Sequence, residues 1–256
     1  MPLAAFALFA TQIVVPFGGN QAEHQQLKEC LDQAHSDPAA AVARADEWLG
    51  KAHGPARVEP QQCLGQAYAG LQRWGDAHSA FLAARDAAPP NDYHVRASLG
   101  AMAGNAALAN NDTAIALTEL DKAGADAALA GDKELAGSIG ADKARALVAL
   151  GRNEEATKAL AEARSDAPRD AQAWLLSATL SRRMGDLATA KAQIMTAAAL
   201  DPSDPAVGLE AGVIEELSGD EATARQTWQK VVTLTPDAPE ATSAKAYLAQ
   251  IGGPGQ

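Results

Sequence analysis

At 256 residues, 47% of them apolar and 21% charged, the chain carries enough apolar surface to bury a continuous core, which excludes global disorder. Aromatics make up only 4% while alanine abounds, a composition that suits closely packed helices and argues against a β-sandwich rich in aromatic and β-branched residues. The formal charge of -11 repels phosphate backbones and anionic headgroups, so nucleic acid is excluded as a partner and membrane contact by the body of the chain is not expected.

The first element, residues 1-21, is apolar from Met1 to Phe17 apart from Thr11 and Gln12, and no Lys or Arg precedes Lys28. Three readings stand: a secretory signal or anchor, with a short apolar run at Leu3 to Ala10, an apolar helix or strand that packs on the first repeat, or a ragged start site. No apolar run of about 18 residues occurs beyond it, so the rest of the chain should not span a membrane. Residues 22-57 read as a degenerate helix pair, His24 to Ala34 and Pro38 to Leu49, divided at Ser36-Asp37-Pro38, where a cap precedes a proline at the first helical position.

From Val58 onward a period appears. The segment 58-91 carries Leu64, Gly65, Tyr68, Ala77, Phe81, Ala84 and Pro89 at its seventh, eighth, eleventh, twentieth, twenty-fourth, twenty-seventh and thirty-second places. A weaker repeat, 97-130, keeps Gly104, Ala116, Leu120 and Ala123 but has Ala128 in the proline place, which lets its second helix run on through the extra residues Gly131 to Ala136. Repeats 137-170, 171-204 and 205-238 come next at a strict spacing of 34 residues, with Ala156, Ala190 and Ala224 at the twentieth place and Pro168, Pro202 and Pro236 at the thirty-second. Gly151, Gly185 and Gly219 share the fifteenth place, where an inter-helix turn belongs. Small residues at the eighth and twentieth places let two helices approach closely, and the large twenty-fourth residue is expected to fill the gap to the next repeat. A last amphipathic helix, 239-251, serves as a cap, and 252-256 is a Gly/Pro tail.

These residues resemble the tetratricopeptide repeat (TPR), with Gln61 standing in the first repeat where the fourth-place Trp is usual. The Ala-rich, Lys-poor repeats read as bacterial in style. The resemblance implies an all-α, right-handed superhelical solenoid of five to six helix-turn-helix repeats plus a C-terminal capping helix. It further implies that the first helix of each repeat lines a concave groove that receives an extended peptide. On that basis the ligand-facing residues are Gln62, Gln66, Asn105, Arg145, Leu175, Thr179, Arg182, Arg183, Leu209 and Val213. Asn105 and the arginines suit an acidic or carboxylate end and the apolar last repeat an anchor, although solvated arginines balancing acidic neighbours would look the same. The function implied is a protein-protein interaction scaffold or adaptor; the alternative is a self-associating homo-oligomer burying Leu209, Val213, Leu217 and Tyr247.

Cys30 and Cys63 lie 33 residues apart, nearly one repeat, so they can sit at similar heights on neighbouring helices and form a disulfide, or remain buried thiols. Oxidation would favour a periplasmic or envelope location over the cytoplasm. No Cys or His stands at metal-ligand spacing, and no phosphate loop, GxSxG elbow or CxxC pair occurs, so neither a cofactor nor enzymatic activity is expected. Trp48, Trp74, Trp174 and Trp228 read as packing residues, not as a ligand platform.

Overall fold

The computed structural model describes residues 21-251; the expected signal or anchor segment at 1-17 and the tail at 252-256 lie outside the described residues. Among the described residues the regular structure is helical throughout. The chain divides into two compact units, one reaching Arg152 and one beginning at Asn153. The N-terminal unit contains α1 (Gln21–Ser36), α2 (Pro38–Leu49), a 3-10 turn (Gly54–Arg57), α3 (Val58–Gly70), α4 (Trp74–Ala87), α5 (Tyr93–Ala109), α6 (Thr113–Ala130) and α7 (Lys133–Ala149). The C-terminal unit contains α8 (Asn153–Asp166), α9 (Ala171–Arg183), α10 (Leu187–Leu200), α11 (Pro205–Leu217), α12 (Glu221–Leu234) and α13 (Pro239–Ile251). The division falls between the two helices of the stretch read from sequence as one repeat, 137-170.

Aspartate side chains cap seven of the described helices. Asp37 accepts from the Ala40 amide at 3.1 Å ahead of Pro38, satisfying a donor that the first helical turn leaves open. Asp92, Asp132, Asp170, Asp186, Asp204 and Asp220 cap α5, α7, α9, α10, α11 and α12 in the same way. The turn inside each repeat passes through left-handed backbone at the fifteenth place, with φ of 74°, 85° and 84° at Gly151, Gly185 and Gly219. Gln72 and Asn111 occupy that place in the two earlier repeats with φ of 57° and 64°, a conformation asparagine tolerates and glutamine adopts at a cost. Without the helix-stopping proline, α6 reaches 18 residues and ends at Gly131 with φ 70°, whereas α4, α8, α10 and α12 have 14 each.

In the repeats that lie within one unit, core residues sit between the paired helices. A Cβ on Gly65 would lie 2.5 Å from the Phe81 ring, one on Gly104 2.7 Å from Leu120, and one on Gly212 2.2 Å from the Trp228 indole. The large twenty-fourth residue therefore fills the space left by the small eighth residue of its own repeat, a nearer partner than the inter-repeat gap expected from sequence. Where the eighth residue is Ala178 the twenty-fourth is Ile194, and both belong to one buried cluster with Leu175 and Val207. Trp228, only 1% exposed, donates from Nε1 to the Leu209 carbonyl at 3.2 Å and stacks on Tyr247 of α13 with ring centroids 4.9 Å apart.

Candidate functional site

Each repeat offers the outer surface of its first helix, and the sequence-predicted ligand residues distribute over those surfaces unevenly. Gln62 (1% exposed) and Leu175 (4% exposed) are in the interior, Leu175 in one buried cluster with Ile194 of α10 and Val207 and Ile214 of α11, so both are corrected from ligand residues to buried residues. Leu209 and Val213 are half-buried against the cluster of Ala224, Trp228, Val231 and Ala244, on which Tyr247 also packs, so the expected apolar anchor is taken up by the chain itself. The same packing uses three of the four residues assigned to a self-association face, leaving Leu217 exposed at 51%. Gln66 and Thr179 are half-buried and Arg183 is exposed.

The polar ligand residues fall into two carboxylate-centred arrangements, one in each unit. In the N-terminal unit, Asn105 of α5 donates from Nδ2 to Asp142 Oδ2 of α7 at 2.6 Å, and Arg145 donates from Nη1 to the other oxygen, Oδ1. In the C-terminal unit, Arg182 of α9 grips Glu210 of α11 through both oxygens, Nε to Oε1 at 2.6 Å and Nη2 to Oε2 at 3.2 Å. The Asp142 and Glu210 side chains are each 12% exposed. Charge-assisted, bidentate contacts of this kind are among the stronger polar contacts in proteins. Sequence reading places the donors and misses the acceptors, although a signal exists: both acids stand at the sixth place of their repeats, 137-170 and 205-238.

A second, buried polar group lies outside the ligand positions that the repeat pattern marks. Arg85, at the end of α4, donates from Nη2 to Asp126 Oδ2 of α6 at 3.0 Å, and its Nη1 lies 3.7 Å from Glu119. Arg96 of α5 stands 3.7 Å from the same aspartate, and Lys122 pairs with Glu119 at 2.9 Å. Gly100 makes the passage: a Cβ there would lie 3.4 Å from Arg85 Cδ. The network ties three consecutive helices and offers a ligand no open approach, since Arg85, Glu119 and Asp126 are all buried.

Cys30 of α1 and Cys63 of α3 are joined in a disulfide with Cα atoms 6.0 Å apart, and both residues are fully buried among Leu27, Leu31, Ala45 and Leu64. Among the described residues no group of His, Cys, Asp or Glu has the geometry to hold a metal ion. His94 Nδ1 lies 3.0 Å from Asp132, and His24 4.0 Å from Glu59. Trp174 donates from Nε1 to the Pro168 carbonyl at 3.0 Å beneath the Arg164 guanidinium, which leaves it a packing role. Burial raises the Glu215 carboxyl above its ordinary value, partly offset by a hydrogen bond from Thr227.

No protein-family model and no curated protein matches the chain. Solved structures do. PilW, a widely conserved type IV pilus biogenesis factor, superposes with a TM-score of 0.69 at 16% identity over 89% of this chain and 100% of its own. PilF of Pseudomonas aeruginosa gives 0.65 at 12% identity, over 89% and 100%. YrrB, a TPR protein with an unusual peptide-binding site, gives 0.50 at 19% identity, over 73% and 91%. The fold is the tetratricopeptide-repeat fold, as the spacing of the repeats implies.

Proposed function

We propose that this protein is a non-catalytic interaction scaffold that holds a peptide or protein partner on the outer surfaces of its first helices. The observation that carries the reading is the use of the repeat residues. The eighth, fifteenth, twentieth and twenty-fourth places are consumed by packing and turns, while Gln66, Thr179 and Arg183 on the first helices remain accessible and differ from repeat to repeat. Such variation on a constant frame is how a repeat protein acquires a specific partner. Its likeness to YrrB, a TPR protein with a peptide-binding site, supports the same reading.

The compartment we favour is oxidising, the periplasm or cell envelope. Support comes from the Cys30–Cys63 disulfide, since such bonds persist outside reducing cytosols, and from the apolar start of the chain.

Photo-crosslinking residues introduced at Gln66 and Thr179 of the full chain, followed by capture from the native source and mass spectrometry, test both parts. A partner linked from these positions and not from the second-helix positions Lys158 and Lys230 is expected, together with a processed amino terminus. Links that arise only from the second helices would overturn the surface assignment, and an intact Met1 with two free thiols would overturn the compartment.

A further inference from the structure

We propose that the α1–α2 pair docks on a second copy of this chain as well as on its own, so that two copies exchange their pairs and form a dimer whose Cys30–Cys63 bonds run from one copy to the other. This goes beyond the scaffold reading and does not depend on it. The proposal starts from a terminal helix pair that is joined to its neighbour by one loop and by one bond that redox chemistry opens and closes.

The inner face of the pair is apolar. Leu27, Cys30, Leu31 and Ala34 of α1 and Ala41 and Ala45 of α2 are at most 4% exposed, packed with Cys63, Leu64 and Ala67 of α3 and Ala80 of α4. The outer face carries exposed ion pairs, Lys28–Asp32, Arg44–Glu29 and Lys51–Glu47, each at 2.7 Å. All three lie within residues 28-51, so the pair keeps them when it leaves α3. Residues 50-57 connect it to α3; Gly50 is exposed, and Gly54 has φ 55° with open space around it. The docked fit is close, since a Cβ on Gly70 of α3 would lie 3.1 Å from the Ala34 carbonyl oxygen and from Pro38 Cβ.

A second copy presents the same α3–α4 surface. A pair that moves to it loses and regains one set of contacts, which is the low-cost route to a dimer that exchange of an identical element offers. In dilute solution the closed monomer is favoured, because a short loop holds the pair at an effective concentration on the order of millimolar. The disulfide decides which arrangement lasts. Cys30 and Cys63 have no exposed surface, and their Cα atoms lie 6.0 Å apart, so the bond forms between docked partners and then fixes the pair on whichever copy holds it. In that step a small-molecule disulfide takes the two hydrogens of the Cys30 and Cys63 thiols, through a mixed disulfide, and leaves as two thiols. The dimer carries two sets of first-helix surfaces, which adds avidity for a partner with two recognition segments.

The test mixes two full-length variants, Cys30→Ser and Cys63→Ser, in the reduced state at about 1 mM, the scale of the effective concentration, and reoxidises them with glutathione disulfide. Non-reducing electrophoresis and peptide mass spectrometry should find a heterodimer joined from Cys30 of one variant to Cys63 of the other, above the share that random pairing gives. Its far-UV dichroism should match that of two monomers, and dilution before oxidation should abolish it. If either variant does not fold, wild-type chains carrying light and heavy nitrogen, reduced, mixed and reoxidised together, decide the matter: Cys30–Cys63 peptides that join light to heavy are expected.

Folded variants that give no dimer, or dimers no richer in the Cys30–Cys63 bond than random pairing, overturn the inference. So do wild-type peptides that join only light to light and heavy to heavy.

Discussion

Replacing Gly212 by alanine should destabilise the C-terminal unit by about 1–2 kcal/mol, the balance of two opposed effects. The added Cβ would lie 2.2 Å from Trp228 Nε1 and 2.6 Å from Cδ1 and Cε2, well inside contact distance, so the indole has to move. It has little room to do so. It is 1% exposed, hydrogen-bonded to the Leu209 carbonyl and stacked on Tyr247, and overpacking of such a site costs about 1–3 kcal/mol, or more if the ring is expelled. Alanine returns up to about 1 kcal/mol through helix propensity in α11. Gly124 is the control: it lies in α6, and its Cβ would meet only Ile139 Cγ2, at 3.8 Å, so Gly124→Ala should stabilise by about 0.5–1 kcal/mol. Urea denaturation followed by circular dichroism measures both, and near-UV dichroism reports the displaced indole. A neutral or stabilising Gly212→Ala, with the near-UV signal unchanged, would refute the argument that the eighth residue is small because the twenty-fourth is large.

Single features give three further expected outcomes. Reduction, or Cys30→Ala with Cys63→Ala, opens a loop of sequence separation 33, for which chain entropy gives about 3.7 kcal/mol; hydrogen exchange should show the loss in α1, α2 and α3, and unchanged protection there would reject a stapling role. Gln72→Gly relieves left-handed backbone at φ 57° and should raise the urea midpoint by the equivalent of about 0.5–1 kcal/mol, whereas a fall would mean that glycine's unfolded-state entropy outweighs the strain. Burial raises the Glu215 carboxyl, so the folded state holds its proton more tightly than the unfolded chain does. Its contribution to stability is therefore full below the ordinary value of 4.5 and is lost as pH rises through the folded-state value. Glu215→Gln should accordingly gain on the wild type between pH 4 and pH 7, modestly because the group is partly solvated, and a gap that does not change with pH would count against the assignment.

How much of the fold and site is legible in the sequence depends on the range of the interaction. Helix starts and stops are local: Asp-Pro at 37-38, glycine at 151, 185 and 219, and the missing proline at 128 act within a turn or two, and the boundaries of α2, α6 and the later helices are set by them. The pairing of a small eighth with a large twenty-fourth residue is also periodic, so the sequence displays both members, though not that they meet within one repeat. The direction of a first-helix side chain is less secure. A rotation of one position along 3.6 residues per turn separates ligand-facing from buried, and Gln62 and Leu175 fall on the buried side. Leu209 and Val213 escape a helix-by-helix reading because α12 and α13, the latter itself legible from the sequence, supply the buried cluster of Trp228, Val231 and Ala244 on which they pack.

The groove donors show a different limit, since charge on a repeat surface has meaning only in pairs. Arg182 looks like a ligand group when read along its own helix, and ceases to once Glu210, 28 residues away on α11, is set beside it; Arg145 has its acid, Asp142, three residues back on α7 itself. A carboxylate gripped through both oxygens by a little-exposed guanidinium is costly to separate, because removing either partner leaves a charge in a poorly solvated position. The surface charge of this scaffold therefore cannot drift one residue at a time: loss of Glu210 uncovers an arginine, and loss of Arg182 strands a glutamate. Selection on a partner must then act on positions outside these pairs, such as Gln66, Thr179 and Arg183, or replace donor and acid together, which places specificity on few residues while the pairs stay fixed.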